Sequence, residues 1–206
     1  MSLFVKLCGV RTVADLRAAE DAGADAVGVV MSPSVRQVDL GTAHRIKAAA
    51  SLQMLVVGVF FRPTTEEILT AQVEVDFDLI QAETGHLAGI DGIRSLPVVH
   101  DGPGLAGSAR SAFDTGNWGR ILVEGPGHGG TGSTPDLERV SQLDRVGDVI
   151  LAGGLTVDNV ARAIQQVRPG GVDVSSGVEA TPGVKDHSQM ARFVEAARRA
   201  HQKVAV

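Results

Sequence analysis

Val149-Ile150-Leu151-Ala152-Gly153-Gly154-Leu155 and Gly171-Val172-Asp173-Val174-Ser175-Ser176-Gly177-Val178-Glu179 are two short β-branched runs, each ending in glycine and other small residues. Residues 156–168 between them have helical periodicity, so the stretch predicts a strand, a helix and a second strand, with small-residue loops at the ends of neighbouring strands. Glycine lets a backbone approach a ligand closely, and free N–H groups at a turn attract anions. Gly153, Gly154, Ser175 and Ser176 are therefore expected to form a phosphate cradle. A Gly-Gly pair alone is more readily a tight turn; the pairing of two such loops is what points to phosphate. The loops after the last two strands of a (β/α)8 barrel are where such a cradle belongs.

The rest of the chain repeats the pattern. Phe4-Val5-Lys6-Leu7-Cys8-Gly9 reads as a strand, followed by a helix with Thr12 as N-cap, Asp15 three residues on and Gly23 as a left-handed stop. Ala26-Val27-Gly28-Val29-Val30-Met31 is continuously apolar, which implies burial on both faces and a parallel sheet. Further strands are expected at 54–61, 77–81, 96–100 and 120–124, with helices at 39–50, 64–73 and 186–202. Helical periodicity is weak across 82–94 and 101–118. Eight strands alternating with helices, joined by right-handed crossovers, close most simply as a single (β/α)8 barrel (TIM barrel) domain over 1–206; a doubly wound open sheet is the alternative.

Composition bounds the function. The 206 residues suit one domain, and 44% hydrophobic residues with only 3% aromatics give an aliphatic core. A balance of 19 basic against 24 acidic residues offers no basic stripe for nucleic acid or a membrane surface. Cys8 stands alone and the six histidines show no HxH or HxxxH spacing, so neither a disulfide nor a metal site is expected. The N-terminal residues lack the long apolar core of a signal peptide, and no transmembrane-length apolar run follows, so a cytoplasmic protein is expected.

Barrel chemistry sits at the C-terminal ends of the strands. The polar residues there are Lys6 and Cys8, Arg36, Arg62, Gln81 and Glu83, Asp101, and Glu124. A free cysteine is commonly a small buried hydrophobe, but Cys8 ends a strand close to Lys6, which would favour its thiolate. Glu124 ends an apolar strand and precedes Gly125-Pro126-Gly127, a poor setting for a solvated helix carboxylate. An arginine such as Arg36 suits a carboxylate or phosphate by bidentate pairing. The glycine-rich loop 125–133 lacks a P-loop lysine and reads as a mobile lid. A thiol, a carboxylate, an arginine and a phosphate cradle form a coherent set for acid–base work on a sugar phosphate.

These residues in this order resemble the phosphoribosylanthranilate isomerase family of tryptophan biosynthesis. The matching stretches are Lys6-Leu7-Cys8-Gly9, Ala22-Gly23-Ala24-Asp25-Ala26-Val27-Gly28, Val57-Gly58-Val59-Phe60, Gly129-Gly130-Thr131-Gly132, Ala152-Gly153-Gly154-Leu155, and 172–179 with Pro182-Gly183 and Lys185-Asp186. The resemblance implies an Amadori rearrangement of N-(5'-phosphoribosyl)anthranilate to 1-(2-carboxyphenylamino)-1-deoxyribulose 5-phosphate, with no cofactor or metal. It implies Cys8 as general base, Glu124 as general acid, Arg36 on the anthranilate carboxylate, Lys6 and Gln81 as further substrate-binding residues, and the phosphate on Gly153, Gly154, Ser175 and Ser176. Family members are monomers or homodimers.

Three positions depart from the family pattern. Glu124 stands where aspartate is usual, Gln81-Ala82-Glu83-Thr84-Gly85 replaces Gln-Leu-His-Gly, and Ser133 replaces a frequent lysine. Two rival readings follow. One is a bifunctional isomerase that also accepts the histidine-pathway aldosylamine ProFAR, whose second phosphate would need Arg62 and Arg36. The other is a non-catalytic sugar-phosphate-binding barrel.

Overall fold

The computed structural model describes residues 2–88, 90, 92–127 and 133–204. Eight parallel strands close into a barrel in sequence order: β1 (Phe4–Cys8), β2 (Ala26–Val30), β3 (Leu55–Val59), β4 (Leu79–Glu83), β5 (Ser95–His100), β6 (Ile121–Glu124), β7 (Val149–Leu151) and β8 (Gly171–Val174). Closure is made by β1 against β8, with Lys6 opposite Asp173. The open-sheet alternative is thereby excluded.

Helices α1 (Val13–Asp21), α2 (Leu40–Ala49), α3 (Thr65–Val75), α4 (Leu105–Thr115), α5 (Leu137–Ser141), α6 (Val160–Val167) and α7 (His187–Val204) pack outside. Their starts are written in the sequence. Thr12 with Asp15, and Thr64 with Glu67, form capping boxes that satisfy first-turn amides, and Asp39 caps α2. Gly23 lies just past α1 at φ 79°, the left-handed stop expected of it.

Two expectations need correction. The described part of 82–94 contains only a single 3₁₀ turn, Thr84–His86, because residues 79–83 are spent on the strand. Strand four therefore runs two residues later than 77–81 and carries Glu83 on its last position. In addition, a hairpin, β9 (Glu179–Thr181) with β10 (Val184–Lys185), follows β8. The glycine-rich segment read as a lid lies largely outside the described residues, as does Gly129-Gly130-Thr131-Gly132.

The two-residue period of the strands sorts the side chains. Val5, Leu7, Val27, Val29, Val123 and Leu151 point outward into the layer shared with the helices. Phe4, Val57, Leu79, Leu96, Leu122 and Ile150 fill the lower barrel. One step further up the same inward rows stand Lys6, Gln81, Val98, Glu124 and Asp173, so the interior turns from apolar to polar toward the C-terminal ends. The N-terminal floor is closed by Phe4 edge-on to Trp118, ring centroids 5.2 Å apart, with the Arg120 guanidinium 5.2 Å from the Phe4 ring and 5.4 Å from the Trp118 ring.

Candidate active site

A cavity of about 350 Å³ opens at the C-terminal end of the barrel. Cys8, Arg36, Gln81, Glu124, the pair Gly153-Gly154 and the pair Ser175-Ser176 all line it, so the structure brings together most of the residues singled out from sequence.

Cys8 is tightly enclosed. A Cβ placed on Gly28 would lie 2.8 Å from its sulfur and 3.2 Å from Lys6 Nζ, so only glycine leaves room for this pair on the neighbouring strand. Lys6 is fully buried and donates to Asp173 Oδ1 at 3.0 Å. Burial works against its charge, but Asp173 and the adjacent Cys8 outweigh that and hold Lys6 above its ordinary pKa. Lys6, expected among the substrate-binding residues, does not line the cavity; it stands behind Cys8, paired with Asp173. Burial pushes the Cys8 thiol up; Lys6 and Lys185 pull it back, while Asp173 and Glu124 push it further up.

Glu124 ends β6 on the inward row. Its side chain is 20% exposed, and burial is the main cause that raises its pKa, followed by Asp173; His100 and Lys6 act the other way. His100, from β5, stands beside it with Nδ1 4.0 Å from Glu124 Oε2 and Nε2 3.4 Å from Glu83 Oε1.

Arg36 reaches the cavity already paired. Its Nε and Nη2 donate to the two oxygens of Glu179 at 2.7 and 2.9 Å, and Lys185 donates to Glu179 Oε1 and to the Ser175 carbonyl, both at 2.9 Å. Burial disfavours charge on Glu179, but Arg36 and Lys185 dominate and hold its carboxyl down at about 2. The hairpin after β8 thus fixes both the arginine and the backbone of the Ser175 loop.

The cradle expected from sequence has the geometry for an anion. Gly153 and Gly154 adopt φ 91° and 60°, conformations that side chains resist. A Cβ on Gly177 would stand 1.9 Å from the Leu155 carbonyl oxygen, so glycine there lets the loops after β7 and β8 close on each other. Ser175 Oγ and Gln81 Oε1 are buried and have no hydrogen-bond partner among the described residues. Both belong to residues that line the cavity.

The N-(5'phosphoribosyl)anthranilate (PRA) isomerase family model matches residues 5–196. The chain belongs to the PRA isomerase family. A PRA isomerase of Magnetococcus marinus is 38% identical over 209 residues, 97% of each chain. The crystal structure of the Thermotoga maritima PRA isomerase superposes with a TM-score of 0.82 at 32% identity, covering 96% of this chain and 99% of that one. Another PRA isomerase structure, solved with reduced 1-(o-carboxyphenylamino)-1-deoxyribulose 5-phosphate, gives a TM-score of 0.79 at 29% identity, with coverage of 96% and 99%.

Against this PRA isomerase frame, two residues collected at strand ends fall elsewhere. Asp101 is one position past the inward His100 and faces away, accepting from Asp136 N at 2.7 Å and Arg139 Nη1 at 2.6 Å. Arg62 is exposed, lies 5.2 Å from the Phe61 ring, and lines an outer cleft instead of the substrate cavity. Sequence reasoning missed Asp173, His100, Glu179, Lys185 and Gly28 as site residues. Asp173 and His100 were findable: each sits on the inward row of its strand, two positions after Gly171 and Val98.

Proposed function

We propose that this chain isomerises N-(5'-phosphoribosyl)anthranilate to 1-(2-carboxyphenylamino)-1-deoxyribulose 5-phosphate, with Glu124 as acid and Cys8 as base, and that residues 1–206 act as one barrel domain. The observation that carries the reading is that a thiol and a carboxyl, both raised by burial, line one cavity, with the Glu124 carboxyl near enough to raise the Cys8 thiol further. The complex reported for a structural relative supports the substrate class.

Glu124 gives its proton to the ribose ring oxygen as the bond from that oxygen to C1' breaks, leaving a protonated imine. The Cys8 thiolate takes the C2' proton, and the freed electron pair forms the C1'–C2' double bond as the imine nitrogen becomes neutral. Tautomerisation of the enol gives the ketose. The imine is the electron sink, so the residues supply only proton transfer, orientation and charge. The phosphate sits on the amides of Gly153, Gly154, Ser175 and Ser176. Arg36 presents its remaining donors to the anthranilate carboxylate, and Gln81 Oε1 accepts from a sugar hydroxyl. Lys6 favours the thiolate.

The competent ionic form needs Cys8 deprotonated and Glu124 protonated. A thiol raised above its ordinary value titrates above even a raised carboxyl, so this form is a minority at every pH. The rate then rises with pH until Glu124 titrates, stays level, and falls once Cys8 has ionised.

The test is steady-state turnover of freshly generated substrate by the purified protein, with Cys8→Ser alongside. Turnover of about 10⁴ M⁻¹s⁻¹ or more in kcat/KM is expected. In Cys8→Ser it should fall by roughly 10²–10⁴-fold, the size of a general-base contribution. Background turnover by the wild-type chain would overturn the activity, and a near-normal Cys8→Ser would overturn the base.

A further inference from the structure

We infer that His100 is a positioning residue for Glu124: Glu83 holds one ring nitrogen of the imidazole, and the other ring nitrogen orients the carboxyl toward the substrate. This rests on the proposed role of Glu124 as the acid.

Three adjacent strands end on the same inward row, Glu83 on β4, His100 on β5 and Glu124 on β6. The pairing registers Glu83 with Val98 and His100 with Glu124, so the imidazole stands between two carboxyls. The distances are 3.4 Å on the Glu83 side and 4.0 Å on the Glu124 side. Both ring nitrogens are buried and neither has a hydrogen-bond partner within bonding geometry, so a small closing movement of the carboxyls completes the pair. Glu83 and His100 also line the outer cleft that adjoins the substrate cavity, which makes the imidazole part of the wall between the two.

Chemistry sets the order of roles. With Glu83 accepting from Nε2–H, the neutral imidazole turns its Nδ1 lone pair to Glu124 and accepts the proton of the acid form. The arrangement follows the logic of a carboxylate that fixes a histidine, which in turn orients a third group. The charged groups facing Glu124 are Lys6 and Cys8 from β1, Glu83 from β4, His100 from β5 and Asp173 from β8. Those facing His100 are Glu83 and Glu124, with Arg62 lining the outer cleft. His100 is thus the neighbour of Glu124 that can be removed without touching the Lys6–Asp173 pair.

The side-chain amide separates positioning from space filling. Asparagine places its amide where Nδ1 stands, facing Glu124; glutamine reaches the place of Nε2, facing Glu83. His100→Gln is expected to lower kcat about tenfold with KM within about twofold, as for a misplaced catalytic group. His100→Asn should retain most of the rate although it is the smaller side chain. In a Glu124→Asp background, where the carboxyl is withdrawn by one methylene, His100→Gln should cost less than about threefold. A loss confined to KM, a better rate with glutamine than with asparagine, or equal losses in both backgrounds would overturn the inference. A second readout needs no turnover: the carboxyl ¹³C resonance of Glu124, assigned by its loss in Glu124→Gln, should titrate with a midpoint displaced from wild type in His100→Gln and close to wild type in His100→Asn, whose amide still faces the carboxyl. An unchanged midpoint would overturn the role of His100 even if the substrate assignment had failed.

Discussion

Cys8 and Glu124 share one cavity but are held in different ways. Cys8 has a glycine opposite it, a fully buried lysine behind it and an aspartate 3.0 Å from that lysine. Glu124 has an imidazole 4.0 Å away, itself 3.4 Å from the next carboxyl, and open cavity in front. One side of the site is closely packed around its group; on the other the nearest polar neighbour stands beyond hydrogen-bond distance. That difference gives the glutamate a place to work. On the crowded side even a Cβ added at Gly28 would meet the Cys8 sulfur at 2.8 Å and Lys6 Nζ at 3.2 Å, whereas Glu124 faces its imidazole across 4.0 Å.

Breaking the crowded side should be costly. Lys6→Met leaves Asp173 buried without its counter-ion, a change worth roughly 3–5 kcal/mol of stability in comparable buried pairs. It also removes the charge that favours the thiolate, so the alkylation rate of Cys8 should need higher pH and turnover should fall by about 10²-fold or more. Urea melts and a pH series of thiol alkylation check both. Gly28→Ala tests crowding without changing charge: a methyl 2.8 Å from the sulfur must displace it, with an expected loss of about 10²-fold in kcat and about 1–3 kcal/mol of stability. Glu124→Asp should be mildest, a loss of less than about tenfold, because the carboxyl retreats on the less closely packed side. It should also move the low-pH limb of kcat/KM downward, since an aspartate starts from a lower pKa than a glutamate. Should Glu124→Asp lose as much as Gly28→Ala, the two sides would be equally constrained and the comparison would fail.

Much of this was legible because strands alternate. Cys8, Gln81 and Glu124 all lie on rows whose apolar lower members, such as Phe4, Leu79 and Leu122, are plain in the sequence, and the cradle lies in the loops just past β7 and β8. The same rule would have yielded His100 and Asp173 and removed Asp101, which lies on the opposite row. Reading strand four two residues early hid the link between Glu83 and His100. The hairpin of Glu179 and Lys185 was not legible at all: its grip on Arg36 crosses 143 residues of chain, and only closure of the barrel makes them neighbours. The departure at Glu83 gains a meaning only in three dimensions, where a histidine one strand over stands 3.4 Å from its carboxyl.

The floor of the barrel offers a tool. Trp118 is the only tryptophan in the chain, and it packs on Phe4, at the opposite end of β1 from Cys8. Its fluorescence therefore reads closure of the barrel from the end that carries no chemistry. Emission that holds steady while ligand fills the cavity, and shifts when the strands part, would give a single-residue gauge that separates an inactive but intact variant from an unfolded one.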